Sequence, residues 1–154
     1  MIDRRTFGLT LASAGAVPAH AGTSQARDDI REANKQTVLA FYDAALRQSD
    51  FDAAATHFGP RYIQHNPMIK DGIDGFRSFV HDLKKQFPEL RSDIKRVFAD
   101  GDFVILHVHA QRQPSELGLA IVDIFRLENG KIVEHWDVRQ PLTEATAANA
   151  NGMF

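Results

Sequence analysis

At Leu90 the hydrophobic rhythm of the chain changes, and that change limits the fold more than any other feature. Upstream, apolar residues recur every three or four positions, the spacing of helices that pack by one face. Asp28–Arg47 carries Ile30, Thr37, Val38, Phe41, Tyr42, Ala45 and Leu46 in that rhythm, with Asp28 and Asp29 of the favourable sign for a helix N-terminus. A second long helix is predicted over Ile73–Phe87, with Phe76, Phe79, Val80, Leu83 and Phe87 as its apolar stripe. Between them Asp50–Phe58 reads as a short helix, capped by Asp50 and stopped by Gly59-Pro60. Arg61–His65 then reads as a short extended piece, since the residue before Pro67 avoids the helical region. Downstream of Leu90 the period is two. Ser92–Ala99 and Phe103–Gln111 flank Asp100-Gly101, and Ala120–Pro141 forms a second pair about Asn129-Gly130. Helices first and a meander afterwards predict an α+β domain, with three N-terminal helices packed on one face of a strongly curved, mostly antiparallel sheet.

Composition narrows the partners. The 154 residues are 44% hydrophobic and 25% charged with a net charge of -2, enough for one core and an internal pocket. Without a dense Lys/Arg stripe, nucleic acid is not an expected partner. No run is long enough for stable membrane anchoring once the N-terminus is removed. That N-terminus stands apart: Asp3-Arg4-Arg5-Thr6-Phe7, then the mildly apolar Gly8–Val17, then Ala19-His20-Ala21 of small-x-small form. It resembles a twin-arginine export signal, which predicts cleavage after Ala21 and a periplasmic protein. The absence of cysteine fits that compartment and the cytosol alike. The expected organisation is a signal peptide over 1–21, a polar linker over 22–29, the domain over 30–142, and an Ala/Asn-rich tail over 143–154. Met153-Phe154 in that tail could dock on a neighbour.

The second hairpin places charge where a half-buried strand would carry apolar side chains. Asp123 shares a strand face with Leu119, Ile121, Phe125 and Leu127, while His135 and Asp137 alternate with Glu134, Trp136 and Val138. Burying an unpaired charge is costly, so such residues are either paired or chemically used. With Leu127 facing Lys131, Asp123 lies opposite His135 and Asp137 opposite Ile121; a two-residue turn shifts this by one and puts Trp136 beside Asp123. On the preceding strand Phe103, Ile105, His107 and His109 share one face, and Val104, Leu106 and Val108 the other. If the first of these faces looks inward, two imidazoles and two carboxylates converge on one cavity.

These elements, with Tyr62-Ile63-Gln64-His65-Asn66-Pro67, Asp71-Gly72-Ile73-Asp74-Gly75-Phe76, Asp123-Ile124-Phe125-Arg126-Leu127 and Glu134-His135-Trp136-Asp137-Val138, resemble the nuclear-transport-factor-2-like superfamily, and within it the SnoaL-like polyketide cyclases. The resemblance covers about Ile30 to Leu142. It implies a conical α+β fold enclosing an apolar pocket, usually in a homodimer. It also implies that Asp137 matches the cyclases' acid/base aspartate and Asn66 a pocket asparagine. Asp123 stands where those cyclases carry a histidine, and where the related ketosteroid isomerases carry a protonated, oxyanion-stabilising aspartic acid. The isomerases' base aspartate falls at Asn66, which cannot serve as that base. The resemblance favours the first hairpin register.

The expected chemistry is proton abstraction beside a carbonyl, as in aldol-type cyclisation, isomerisation or a lyase reaction, on a small apolar molecule. Asp137 takes and returns the proton, with His135 orienting it, and Asp123 or His109 donates to the enolate oxygen. Asn66 binds the carbonyl, and His65, His107, Tyr62 and Phe125 complete the substrate site. This chemistry needs neither metal nor organic cofactor. One rival makes His107 and His109 metal ligands completed by Asp123 or His135, giving a metal-dependent hydrolase. Another makes the cone a non-catalytic ligand-binding or dimerising domain.

Overall fold

The computed structural model describes residues 21–143, 149 and 151–154. The twin-arginine pattern and most of the expected cleavage motif lie outside the described residues.

Helix α1 spans Ala21–Tyr42 and runs on as a wider π-helical turn over Asp43–Gln48. It starts seven residues ahead of the expected Asp28, at the last residue of the expected signal peptide, and runs through the segment read as a linker; residues 24–30 are all exposed. Ile30, read as part of the apolar stripe, is therefore outside the core; the inward stripe is Asn34, Val38, Phe41, Tyr42 and Ala45. Helix α2 is Phe51–Ala55, capped as expected by Asp50, whose carboxylate accepts from the Ala53 N–H at 2.9 Å. It ends three residues before the expected Phe58, because strand β1 begins there and runs from Phe58 to Gln64 through Gly59-Pro60. Proline is tolerated in β1 because this strand lies at the sheet edge, where a missing N–H breaks no central ladder. Helix α3 spans Gly72–Gln86. Gly75 is its fixed point: a Cβ there would stand 2.0 Å from the Lys70 carbonyl oxygen. The bare glycine lets the Asn66–Asp71 loop lie directly on α3.

The meander follows as expected: β2 Arg91–Asp100, β3 Phe103–Gln111, β4 Leu119–Glu128 and β5 Lys131–Pro141. The spatial order is β1-β5-β4-β3-β2, with β1 parallel to β5 and every other pair antiparallel. Helices and curved sheet form an α+β cone. Its core is a cluster around Phe41, whose ring lies 5.1 Å from Phe58, 5.4 Å from Phe76 and 5.7 Å from Phe125. Val104, Leu106 and Val108 of β3 close it from the sheet side, all fully buried.

The face of β3 that looks inward is thus the apolar one, opposite to the arrangement that would bring His107 and His109 into the cone. Three fully buried aliphatic side chains outweigh two imidazoles, which can be solvated and hydrogen-bonded outside. The tail ends on that outer face, with the Phe154 ring 5.1 Å from His107 and 4.8 Å from His109. Among the described residues no helix is long and apolar enough to cross a membrane.

Candidate active site

Strands β4 and β5 bring the two carboxylates face to face, in a register that neither expectation contained. Asn129 and Gly130 adopt positive φ of 51° and 71°, the geometry of a two-residue turn that pairs Glu128 with Lys131. Next to the turn the ladder slips: Leu127 pairs with Ile132 but Arg126 pairs with Glu134, leaving Val133 as an extra, bulged residue. From there Phe125 faces His135 and Asp123 faces Asp137. The register with Asp123 opposite His135 is therefore corrected. The bulge also explains how Ile132 and His135, of opposite parity in sequence, both point into the cone. Val133 itself is buried against β1, close to Gly59.

Two carboxylates across one ladder repel, and each is held by a different partner. The Asp123 Oδ1 lies 3.1 Å from His135 Nε2, and both side chains are buried. His135 Nδ1 lies 3.0 Å from Gln64 Oε1. That Gln64 atom also accepts from the backbone N–H of Asn66 at 2.9 Å, so it is the amide oxygen; its Nε2 donates to the Tyr62 hydroxyl at 2.9 Å. An acceptor at Nδ1 requires that this nitrogen carry a proton. A hydrogen bond between His135 Nε2 and Asp123 Oδ1 therefore needs one further proton between them.

Asp137 is held from the other side. Asn66 Nδ2 donates to its two oxygens at 2.8 and 2.7 Å, and Arg139 Nε lies 3.5 Å from Oδ2. Asn66 Oδ1 accepts from the Met68 N–H at 2.8 Å, which fixes the amide orientation. Asn66 thus holds Asp137 through its amide nitrogen, a contact the sequence did not suggest. The loop carrying it is pinned by Asp71, whose carboxylate accepts from the Gln64 N–H at 2.8 Å. Backbone bonds from Gln64 and Gly72 hold the Asp71 carboxyl below its ordinary pKa.

Asp123, Asp137, His135 and Phe125 line a cavity of about 290 Å³ whose other walls include Phe41, Phe76, Phe79, Leu83 and Ile121. Asp123 Oδ2 is buried there with no hydrogen-bond partner among the described residues. Sequence reasoning missed two residues that stand next to the Asp123–His135 pair, one in the cavity wall and one behind it. Tyr42, read only as part of a helical apolar stripe, sets its hydroxyl beside Asp123 and Ser92. Burial first, and then the Asp123 charge, raise the Tyr42 pKa well above the usual phenol value, so this hydroxyl stays protonated. Gln64 is the other omission: it stood in the quoted motif, and its alternation with Tyr62 was the one available signal.

The remaining expected residues lie elsewhere. Tyr62 is buried beneath the site, and burial followed by the nearby carboxylates raises its pKa as well. His65 lies on the outer side, stacked on Trp136 at 4.6 Å and bonded to Glu134 at 2.8 Å. His107 lies 3.0 Å from an Arg96 nitrogen, and His109 bonds the Leu117 carbonyl at 2.7 Å, both on the outer face. They project away from Asp123 and His135, so no metal can be shared between those pairs. Among the described residues no group of three His, Cys, Asp or Glu side chains is arranged to hold a metal ion.

Residues 36–147 match the SnoaL-like polyketide cyclase family, well over half of the chain. The chain belongs to that family. Solved structures agree on the fold. TsrD from Streptomyces laurentii superposes with a TM-score of 0.59 at 21% identity, covering 71% of this chain and 89% of that one. A "putative polyketide cyclase" from Bacillus cereus gives 0.62 at 16% identity, over 70% and 74% of the two chains. A "putative ketosteroid isomerase" from Kribbella flavida gives 0.62 at 15%, over 74% and 82%. No curated protein sequence matches the chain. Membership of the SnoaL-like family supports a small-molecule cyclase or isomerase role.

Proposed function

We propose that this SnoaL-like protein is an acid–base enzyme that abstracts a proton beside a carbonyl group of a small molecule held in the cone. The observation that carries the reading is the pairing of Asp123 with Asp137 in the wall of one apolar cavity, each tied to a different partner. Asp137, aimed by Asn66, removes the proton from the carbon next to the carbonyl. Negative charge moves to the carbonyl oxygen, where the Tyr42 hydroxyl, kept protonated, is the available donor. When the shared proton resides on Asp123, that carboxyl is neutral and presents no competing charge to the enolate. Returning the proton to another carbon completes an isomerisation. Attack of the enolate carbon on a second carbonyl, with Asp137 now protonating the alkoxide, completes an aldol-type ring closure. His135 and Gln64 hold Asp123 in place. His109 has no part, because it faces the other side of the sheet.

Proton abstraction can be tested without knowing the natural substrate. Cyclic 1,3-diketones incubated with the protein in D2O should exchange their α-protons faster than in buffer, as followed by NMR, and Asp137→Asn should remove the acceleration. Acceleration that survives Asp137→Asn would refute the assignment. Ligand binding with no exchange would instead make the cone a binding module.

The reading includes export and a homodimer. Export rests on the twin-arginine pattern of the first 21 residues, and dimerisation on the exposed Phe98, Phe103, Val122 and Val138 of the sheet. N-terminal sequencing of periplasmic material should begin at Gly22, and light scattering should give twice the chain mass. A mature chain starting at Met1, or a monomer at micromolar concentration, would remove the respective element.

A further inference from the structure

The cavity is apolar in its depth and cationic at its mouth. Arg112, just beyond the end of β3, and Arg139, on β5, both line it, beside Gln86, Phe87 and Leu119. Arg112 is held over the Phe87 ring, its guanidinium carbon 5.2 Å from the centroid, and among the described residues it has no carboxylate partner. Among the described residues no hydrogen bond engages the guanidinium, so its N–H donors are free for an acceptor. Arg139 lies with its Nε 3.5 Å from an Asp137 oxygen and can offer its other donors to a ligand.

The charge balance of the wall has one sign left over. His135 and Asp123 share a proton and act as a pair, and Asp137 is balanced by Arg139. Arg112 is the uncompensated charge. A neutral carbonyl compound gives it nothing to bind, whereas a compound with an acidic group at one end matches both zones. Its apolar body would rest among Phe41, Phe76 and Phe79, and its anion would meet the guanidinium groups at the rim. Arginine suits this role because its planar fork of donors matches a carboxylate.

We infer that the substrate is a carbonyl compound bearing a carboxylate, with Arg112 as its principal anchor at the cavity mouth and Arg139 as a second. The inference rests on the acid–base reading of the same cavity, but its test uses binding alone. Two aromatic probes of one shape, 1-naphthaleneacetate and 1-naphthaleneacetamide, would be titrated into the protein by calorimetry at pH 7. The acid should bind about tenfold more tightly than the amide, the scale of one charge-assisted hydrogen-bonded contact. Arg112→Gln should remove most of that preference, Arg112→Gln with Arg139→Gln all of it, and added salt should weaken it. Amide affinity should be nearly the same in wild type and in Arg112→Gln, which shows that the pocket is intact. Equal affinity for both probes in the wild type overturns the anionic substrate and leaves the pocket reading standing. A preference that survives the double substitution overturns the arginine assignment. Failure of both probes to bind overturns this inference together with the cavity on which it rests.

Discussion

His135 on β5 and the pair His107 and His109 on β3 belong to one sheet, two strands apart, yet they sit in opposite surroundings. His135 is buried between Gln64 and Asp123, with the Phe125 ring 4.7 Å away. His107 and His109 lie on the outer face, engaged by Arg96, the Leu117 carbonyl and the terminal Phe154. Residue type is the same in both places, and so is alternation along a strand. What differs is the competition for the inner face. On β3 the even positions Val104, Leu106 and Val108 are all aliphatic, and burying them outweighs anything the histidines gain inside. On β5 only Ile132 and Val133 offer such a pull, and they sit next to each other. There the bulge and the parallel partner β1 decide the phase. An imidazole in a sheet thus acquires its role from the neighbouring side chains that compete for the inner face.

The comparison is sharpest at Asp137. Asp137→Asn should lower proton exchange into a bound diketone by about 10³-fold, the range of a lost general base, while His109→Gln should leave it near wild type. Comparable losses in both would mean that the outer face contributes to the chemistry. Next in size are the apolar neighbours of the outer histidines. Leu106→Ala should cost roughly 2–5 kcal/mol in urea unfolding, and Ile105→Ala, one residue away on the other face, about 1 kcal/mol or less. Equal costs would break the assignment of faces.

The network behind His135 offers a finer test. Gln64→Leu removes the acceptor shared by His135 Nδ1 and the Asn66 N–H, and should destabilise the fold by about 2 kcal/mol. Nitrogen NMR of His135 should also lose the fixed Nδ1–H form, and an unchanged spectrum would show that Gln64 does not set the tautomer. The smallest effect belongs to Glu134 on the outer face. Burial acts upward on its carboxyl, but the bonds from His65 and Arg126 outweigh it and leave the folded pKa below the ordinary value. A lowered folded pKa means stability that is present above about pH 4.5 and is lost as pH falls through the lower folded value. Melting temperatures from pH 6 to pH 3 should therefore fall less steeply in Glu134→Gln, by the equivalent of about 1 kcal/mol or less. A steeper fall in the variant would reverse the sign of the argument.

Much of this is legible in the sequence. The helices over α1 and α3, the Asp50 cap, the Asp100-Gly101 and Asn129-Gly130 turns and the meander all follow from local preferences, which act within a few residues. The placement of Asp123, His135 and Asp137 on the last hairpin was legible too, because charge in an apolar rhythm is itself a signal, whereas Asn66 entered only through the family resemblance. The role of Asn66 was not legible, since nothing in sequence shows that its amide is taken by a residue 71 positions away. Tyr42 escaped because a tyrosine in a helical stripe looks like core, and it is core along most of its length. Arg112 escaped because a lone arginine after a strand looks solvated.

By itself, then, the sequence determined which segments are helix and which are strand, that the chain makes one α+β domain, and that its polar chemistry gathers on the last hairpin. Periodicity and turn residues carry that information because their energetics are local. Only the tertiary structure decided the register of β4 against β5, the face that β3 turns inward, and the partners of each carboxylate. Those outcomes depend on a one-residue bulge and on burial summed across three strands and a helix. A slip of one residue in a strand reverses every side chain on it, so the site exists only once long-range packing has chosen the phase.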